Sequence, residues 1–497
     1  METAIADLPA DLRWLFESGA VGIEQLAALH DGLGVTSLGD LIDAVEGQAI
    51  RAVPGFNKVA ELAIAAALPT VRRSIPRIPL GRATALAEPL LDELRSMSGV
   101  VWAETAGSLR RAEDTIGDVL IVAAIDDPRK VIHAVPRLPG IDRLLHQGAR
   151  QVCVQTTSAQ VAIRFPETSR AGATLLHLTG ARAHVKALDA YAATRGWQLT
   201  RDGLHRSDGA ASVGTTEEEV YGALGLPVIP PEIRNGDDEV EVAARGELPT
   251  LLTRADIRGD LHMHTTWSDG QDSIEAMVTT CLQLGYEYVA ITDHSPRSGA
   301  TRTLAADAVS RQAEEIAAVR QRCPGIAILH GCEVDILSGG ALDFPDSILA
   351  RFDIVLASLH HTNGHSPEQL LARYVSAMRH PLVSVITHPA NRLVPHRRGY
   401  DLDYDRLFET AVETGTCLEV DGAPAHLDME GALARRAVAA GVTVTVTSDC
   451  HRADLLGRQM RLGVATARRG WVEPRHVLNA RPLERVREAI LRKRRAE

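Results

Sequence analysis

Aromatic side chains make up only 4% of the 497 residues, too few for an extended base-stacking platform that grips single strands without sequence preference. Lysine is nearly missing: Lys58, Lys130, Lys186 and Lys493 are all there are, so arginine supplies the rest of the 53 cations. The cysteines Cys153, Cys281, Cys323, Cys332, Cys417 and Cys450 are scattered with no CxxC pair. That excludes a thiolate zinc site or a disulfide framework and leaves reduced thiols as the expectation. No apolar run approaches the roughly 20 residues that span a bilayer. The start METAIADLPADLRWLF has neither the basic region nor the apolar core of a signal peptide, so a cytoplasmic protein with no membrane partner is expected. Internal repeats and low-complexity tracts are also missing. The formal charge of −11 offers no general attraction to nucleic acid.

The 45% hydrophobic content excludes a disordered chain, and the length suits about three domains at roughly 150 residues each. Histidine is unevenly spread. Of 19, six precede residue 259 (His30, His133, His146, His177, His184, His205) and thirteen follow it. Imidazole is the commonest metal ligand, so metal chemistry is expected in the second half.

Residues 229–249, IPPEIRNGDDEVEVAARGELP, are acidic, Pro-bearing and short of apolar periodicity, and read as a linker. Ahead of them, 11–16, 23–33 and 38–47 carry apolar residues at helical spacing. The turns SGAVG and VPGFNK each precede a helix. Such hairpins either hold a DNA phosphate on backbone N–H groups or are ordinary connections. VVWAETAGSLRR and GDVLIVAAI read as adjacent strands of an α/β unit. Beyond the linker, short β-branched runs alternate with amphipathic stretches, the pattern of an α/β fold with a parallel sheet.

Seven strand-like runs occur there: 258–264, 288–294, 326–334, 353–361, 382–389, 416–422 and 442–451. Six end in metal-competent residues: His262 and His264, His294, Glu333, His360, His388, then Asp449 and His451. In a closed β/α barrel the C-terminal strand ends converge on one face, and Asp269, in the loop after the first run, joins that rim. Alternation along a strand puts both imidazoles of the HxH pair on one side. Nine nitrogen and oxygen donors exceed a mononuclear zinc site. They imply two or three ions, with Mn, Zn or Fe favoured over Mg or Ca. Paired ions of this kind polarise phosphoryl oxygens and generate a nucleophile from water, which points to phosphoester hydrolysis.

DLHMHTTWSDG, ITDHS, GCEVDI, SLHH, THP and SDCH, in this order, resemble the polymerase-and-histidinol-phosphatase (PHP) phosphoesterase domain over about 259–497. The resemblance implies a distorted seven-stranded β/α barrel with a trinuclear site held by His262, His264, Asp269, His294, Glu333, His360, His388, Asp449 and His451. Three further candidates are catalytic. Asp293 is a candidate to orient an imidazole or cap a helix, and His361 to protonate a leaving group. Arg392, with Arg397 and Arg398, is a candidate phosphate clamp or part of a solvated basic loop. Cys332 and Cys450, beside ligands, read as buried fillers.

GSLRRAEDTIGDVLIV, LLHLTGARAH and TTEEEVYGALGLPVIPPEIR, with GVTSLGDLIDA and VPGFNK earlier, resemble bacterial family X DNA polymerases, which join a polymerase core to a C-terminal PHP domain. That resemblance implies helix-hairpin-helix fingers over 1–80, a polymerase palm and thumb over 81–236, a linker over 237–258 and the PHP domain over 259–497. It also implies three Mg²⁺-binding carboxylates. Asp118 fills the first position, but Leu120 and Ala162 stand at the second and third, and a hard cation needs oxygen donors. The aromatic pair expected before Thr179-Gly180 is His177-Leu178, and the first hairpin carries Glu24 where lysine is expected. The small domain that grips a 5′ phosphate is expected to be missing. Gly107, Ser108, Arg111 and Asp118 remain as vestigial nucleotide contacts or merely keep a tight turn. The expectation is a 3′→5′ exonuclease or 3′-end-processing enzyme in DNA repair, using two or three divalent ions (Mn²⁺ first, Zn²⁺ or Fe²⁺ next) on DNA 3′ ends or gaps, with the polymerase part inactive. The alternatives are a small phosphomonoesterase, a residual polymerase, and a non-catalytic DNA- or nucleotide-binding protein. No obligate protein partner is expected. The basic stretch Arg468 to Glu497, with ten cations against four anions, either faces DNA or is a solvated helix.

Overall fold

The computed structural model describes residues 15–16, 19–35, 38–74, 76–362 and 364–495, the side chains of 71–74 excepted. Most of the expected helix 11–16, Ser18 of the first turn and Thr36-Ser37 of GVTSLGDLIDA lie outside the described residues. The chain divides into two compact units, 1–246 and 247–497.

The first unit opens with helices α1 (Ile23–Leu33), α2 (Leu38–Glu46) and α3 (Lys58–Ser74). Helix α1 stops where Gly34 turns left-handed (φ 64°) and returns its N–H to the His30 carbonyl. Apolar residues between Leu15 and Leu68, among them Leu26, Leu29, Leu41 and Ile64, form a core of their own. A five-stranded sheet follows: β1 (Trp102–Thr105), β2 (Val119–Ala124), β3 (Ile141–Gly148), β4 (Gln151–Thr156) and β5 (Gln160–Arg164). Its order is β1-β2-β5-β4-β3, with only β2 and β5 parallel. The expected neighbours β1 and β2 do pair, antiparallel.

The stretch read as a linker is packed chain. Glu239–Ala244 is a helix with Val240, Val242 and Ala243 buried. Glu239 accepts a 2.6 Å bond from buried His184. Fully buried Arg234 pairs with Glu217. Within the stretch that suggested solvated linker, Glu239 answers a buried histidine and Arg234 answers a buried acid from outside it, pairings that charge counting along the chain cannot reveal.

The second unit is a parallel sheet of seven strands in sequence order: β6 (Gly259–Asp260), β7 (Tyr288–Ile291), β8 (Ala327–Asp335), β9 (Ile354–Ser358), β10 (Val383–Ile386), β11 (Cys417–Asp421) and β12 (Val444–Thr447). Six fall inside the runs read from sequence, and β8 overruns its run of 326–334 by one residue, Asp335. Their residues are almost all buried, as expected for strands covered on both faces. A parallel bridge from Met263 to Cys450 nearly closes the barrel, and the His264 N–H donates to the Cys450 carbonyl at 2.9 Å. Side-chain caps at Ser273, Ser366 and Asp403 start three of the covering helices.

The basic C-terminal stretch neither faces solvent all round nor stays free. In the helix Leu483–Arg494, Val486 and Ile490 join the barrel-interior residues Leu261, Tyr288, Leu329, Leu356 and Val385 in one cluster. Lys493 donates to the Met378 carbonyl at 2.7 Å and to Thr416, and Arg494 to the Phe352 carbonyl at 2.8 Å. Met378 precedes β10, Thr416 precedes β11 and Phe352 precedes β9, so this helix closes the strand-entry end of the barrel. All six cysteines are free thiols, Cys332 and Cys450 fully buried. Among the described residues, no helix is long and apolar enough to cross a membrane.

Candidate metal centre

Strand ends place the candidate ligands at the opposite end of the barrel. The extended backbone of 262–264 turns both imidazoles of HxH inward, with their Nε2 atoms 3.1 Å apart. Glu333 sits within β8, His294 and His360 just past β7 and β9, His388 past β10, and Asp449 and His451 past β12. Asp269 arrives on the loop after His264. A Cβ on Gly270 would lie 2.5 Å from Thr265 N, so only glycine lets that loop fold back on the strand. His388 (φ 29°) and Asp449 (φ 46°) hold left-handed backbone, which costs about 1–3 kcal/mol each for such side chains and gathers at functional sites.

Three overlapping groups result: His264, Asp269, His294 and His451; His262, His264 and Asp449; and His294, Glu333 and His360. Within each, one donor atom per residue lies within 4.8 Å of the others. His388 joins through Nε2, 3.0 Å from Glu333 Oε1. The structure thus brings all nine expected residues to one rim. Glu333 is central, within 4.0 Å of His262, His264, His294, His360 and His388.

The donor set fits divalent cations. Nδ1 of His294 lies 2.7 Å from Glu333 Oε2, yet both atoms are buried without a directed hydrogen bond, as are Nδ1 of His264 and His388 and Oδ1 of Asp269. Buried polar atoms rarely go unpartnered, and lone pairs that converge without aligned hydrogens suit a positive ion between them. The electrostatics agree. Burial opposes charge on His262, but Glu419, Asp449 and Glu333 outweigh it and hold the imidazole well above its usual range. Burial, then the neighbouring imidazoles His294 and His451, push His264 down to about 3. Glu333 and Asp449 resist burial and are held well below the carboxylate range by facing histidines. The carboxylates are thus anions that demand cationic company.

Glu419, on β11, escaped the sequence reading. It accepts from His262 Nδ1 at 2.7 Å, from Thr447 Oγ1 at 2.6 Å and from the His388 N–H at 2.7 Å. It therefore fixes the His262 tautomer so that Nε2 faces the cluster. Asp335, on β8, accepts from the His360 backbone N–H at 3.1 Å, while Ser358 Oγ meets His360 Nδ1 at 3.2 Å. Both carboxylates sit inside buried strands, where only three-dimensional register marks them; a carboxylate within such an apolar run is the one signal the sequence carries.

The other catalytic candidates fare differently. Asp293 is buried but not directed at an imidazole. Its oxygens accept from Thr265 N and Oγ1, Ser268 N and Oγ, and Gln312 Nε2, all at 2.6–3.1 Å. It thus ties down the loop that carries Asp269. His361 is exposed beside a cavity of about 460 Å³ lined also by Arg297, Gly299, Asp335 and Arg373, so it borders the cluster without joining it. Arg392 is no open clamp: its side chain is 12% exposed and its guanidinium pairs with Glu430 at 3.1 Å. Arg397 is bonded to Asn391.

In the first unit, the register sets Leu120 directly opposite Ala162 on the parallel strands β2 and β5. Leu120 packs with Trp102 and Leu178 against Ala106, Val122 and Leu175, so an apolar cluster stands where two carboxylates are expected. Asp118 is exposed at the edge of this patch. Gly107 (φ 61°) serves the turn, where Ser108 sits in the short helix Gly107–Arg110. Arg111 is 8% exposed and donates to the Thr179 carbonyl at 2.6 Å and to Glu113. Arg110 is held bidentately by Glu217 at 2.8–2.9 Å. The retained arginines thus cross-brace the turn, since buried guanidinium needs carboxylate and carbonyl partners.

The DNA polymerase beta thumb family matches residues 174–235, and the PHP domain family matches residues 260–421. Asp449 and His451 lie beyond the second match and are tied to the site by geometry. The "DNA polymerase/3'-5' exonuclease PolX" of Bacillus subtilis (strain 168) is 35% identical over 497 residues, covering 99% of this chain and 86% of that protein. A "Probable phosphatase" of Syntrophotalea carbinolica is 30% identical over 166 residues, or 33% of this chain and 64% of that protein. A crystal structure of Leishmania infantum polymerase beta in a ternary complex aligns at 18% identity and a TM-score of 0.28, over 42% of this chain and 92% of that one. The PHP match, the relatives' names and the clustered donors make the chain a metal-dependent hydrolase of phosphoester bonds. It belongs to the bacterial family X DNA polymerases that carry a C-terminal PHP domain.

Proposed function

We propose that the protein is a 3′→5′ exonuclease or 3′-end-processing phosphoesterase of DNA, and that its polymerase half no longer transfers nucleotides. The observation that carries the first part is the convergence of His262, His264, Asp269, His294, Glu333, His360, His388, Asp449 and His451, with five buried donor atoms lacking directed hydrogen bonds. The relative named PolX supports DNA as the substrate class. In this reading the nine residues hold two or three divalent ions, Mn²⁺ first and Zn²⁺ or Fe²⁺ next. When bound, such ions polarise the phosphoryl group and stabilise the leaving oxygen. The chain contributes the rest: Glu419 orients the His262 imidazole, Asp335 anchors the backbone of His360, Asp293 fixes the loop of Asp269, and His361, at the cavity edge, gives a proton to the leaving group.

The second part is supported by Leu120 facing Ala162 inside an apolar cluster, which leaves Asp118 without the partner carboxylates that a pair of Mg²⁺ ions needs. Primer extension with all four dNTPs and either Mg²⁺ or Mn²⁺ is expected to show no incorporation; Asp118-dependent extension would refute it. The first part is tested with a 5′-labelled primer–template and Mn²⁺. Progressive shortening that disappears in His262→Ala is the expected result. A second reading, a small-phosphomonoester phosphatase, draws on the "Probable phosphatase" relative and the modest cavity beside His361. Release of phosphate from histidinol phosphate or an aryl phosphate, with intact primer, would favour it.

A further inference from the structure

We propose that Arg164, Arg182 and Arg201 form a binding row for the phosphodiester backbone of DNA, and that helix α2 holds this row shut with Asp40, Asp43 and Glu46. The acids stand three residues apart, so they share one face of α2. Asp40 bonds Arg164 at 2.6 Å and Arg201 at 3.2 Å, Asp43 bonds Arg201, and Glu46 bonds Arg182. Every acid on that face is thus matched by an arginine from β5 or from the 174–235 thumb region.

Register shows what the helix covers. Leu120, Ala162, Cys153 and His146 are successive cross-strand partners on β2, β5, β4 and β3, so they line one face of the sheet. Arg164 lies two residues beyond Ala162 on the same face. His30 of α1 meets His146 there, with ring nitrogens 3.1 Å apart. Helices α1 and α2 therefore stand over the part of this face that carries His146 and Arg164.

The contact is built to exchange. Apolar residues between Leu15 and Leu68 make a core separate from the sheet, and the contacts named here between helices and sheet are polar. Arginine–carboxylate pairs give way readily to arginine–phosphate pairs, because both are charge-assisted forks on the same guanidinium. A strand of DNA can then take the arginines as α2 lets go. This also reconciles the chain's −11 charge with a nucleic-acid substrate: the binding cations are present but covered.

The inference rests on DNA being the substrate, and its test is kept apart from hydrolysis by working in EDTA. Anisotropy of a fluorescein-labelled primer–template is titrated with the full chain and with Asp40→Asn/Asp43→Asn/Glu46→Gln. The variant is expected to bind at least about tenfold tighter, with a log K against log salt slope steeper by about 2.7 for three added phosphate contacts. Adding Arg164→Gln/Arg182→Gln/Arg201→Gln should abolish the gain. No gain, or a gain that survives loss of the arginines, overturns the proposal. A second construction guards against an unfolded α2: Glu46→Cys/Arg182→Cys joined by a bismaleimide should bind DNA several-fold more weakly than the same variant unjoined. Equal binding also overturns it. Failure of the nuclease reading shows instead as an uncut primer with Mn²⁺, whatever the anisotropy.

Discussion

The two halves of this chain present the same chemical problem with opposite residues. In the barrel, strand ends bring six imidazoles and three carboxylates to one rim, with Glu333 in contact with five of the histidines. In the N-terminal sheet, neighbouring strands bring Leu120 to Ala162, and Trp102 and Leu178 pack around them. Phosphoryl chemistry with bound cations needs oxygen and nitrogen donors that converge, not merely a fold able to converge them. A sheet can hold such an apolar face with its frame in order: Leu120 and Ala162 are in register, the Gly107 turn is left-handed, and Arg110 and Arg111 are bonded to Glu217 and the Thr179 carbonyl.

The sharpest way to break the comparison is to remove a donor from each half. His262→Ala should lower phosphoester hydrolysis by roughly 10³-fold, about 4 kcal/mol of transition-state stabilisation. Leu120→Ala should leave hydrolysis unchanged and cost about 1–2 kcal/mol of stability from a half-buried side chain, read by denaturant titration. Loss of hydrolysis in the leucine variant would mean that the halves are not chemically separate.

A smaller effect distinguishes a ligand from its support. Glu419→Ala should weaken Mn²⁺ binding by about 10–100-fold, read by isothermal titration. Glu419→Gln, which can still accept from His262 Nδ1, should recover much of that loss. Equal losses in both variants would assign Glu419 a role beyond orientation.

The smallest predicted effect lies at the other end of the barrel. Burial pushes the Lys493 ammonium down to about 7, while an unfolded lysine titrates near 10.4. Between those values the unfolded chain holds more protons than the folded one, so the penalty of burying this amine falls as pH rises. Relative to Lys493→Met, the native chain should gain thermal stability from pH 7 to pH 9. A difference independent of pH would show that the amine stays charged in its hydrogen bonds to Met378 and Thr416.

Much of the barrel was legible because its strands are short β-branched runs and its donors lie at their ends, where a parallel barrel must expose them. The seven runs and eight of the nine residues follow from that single regularity; Asp269 comes from the loop after the first run. What stayed illegible is pairing across the fold. Glu419 and Asp335 look like interruptions of apolar strands until the register sets them beneath His262 and His360. Asp293 sits next to His294 in sequence, yet its hydrogen bonds go to Thr265, Ser268 and Gln312. The acids of 229–249 suggested a solvated connection, but Glu239 answers a buried His184. The terminal cations suggested either a surface for DNA or a solvated helix, whereas Lys493 and Arg494 satisfy carbonyls at the barrel floor. Charge read along the chain carries no partner, and each of these residues is explained by its partner.

The central claim is that the nine barrel residues hold one multinuclear metal centre. Its most direct measurement is the metal content of the purified chain after reconstitution with Mn²⁺ and desalting, by inductively coupled plasma mass spectrometry, for the native chain and His264→Ala. Two or three ions per chain, falling by at least one in the variant together with loss of hydrolysis, is the predicted result. A content of one or fewer that does not change with His264→Ala would contradict it.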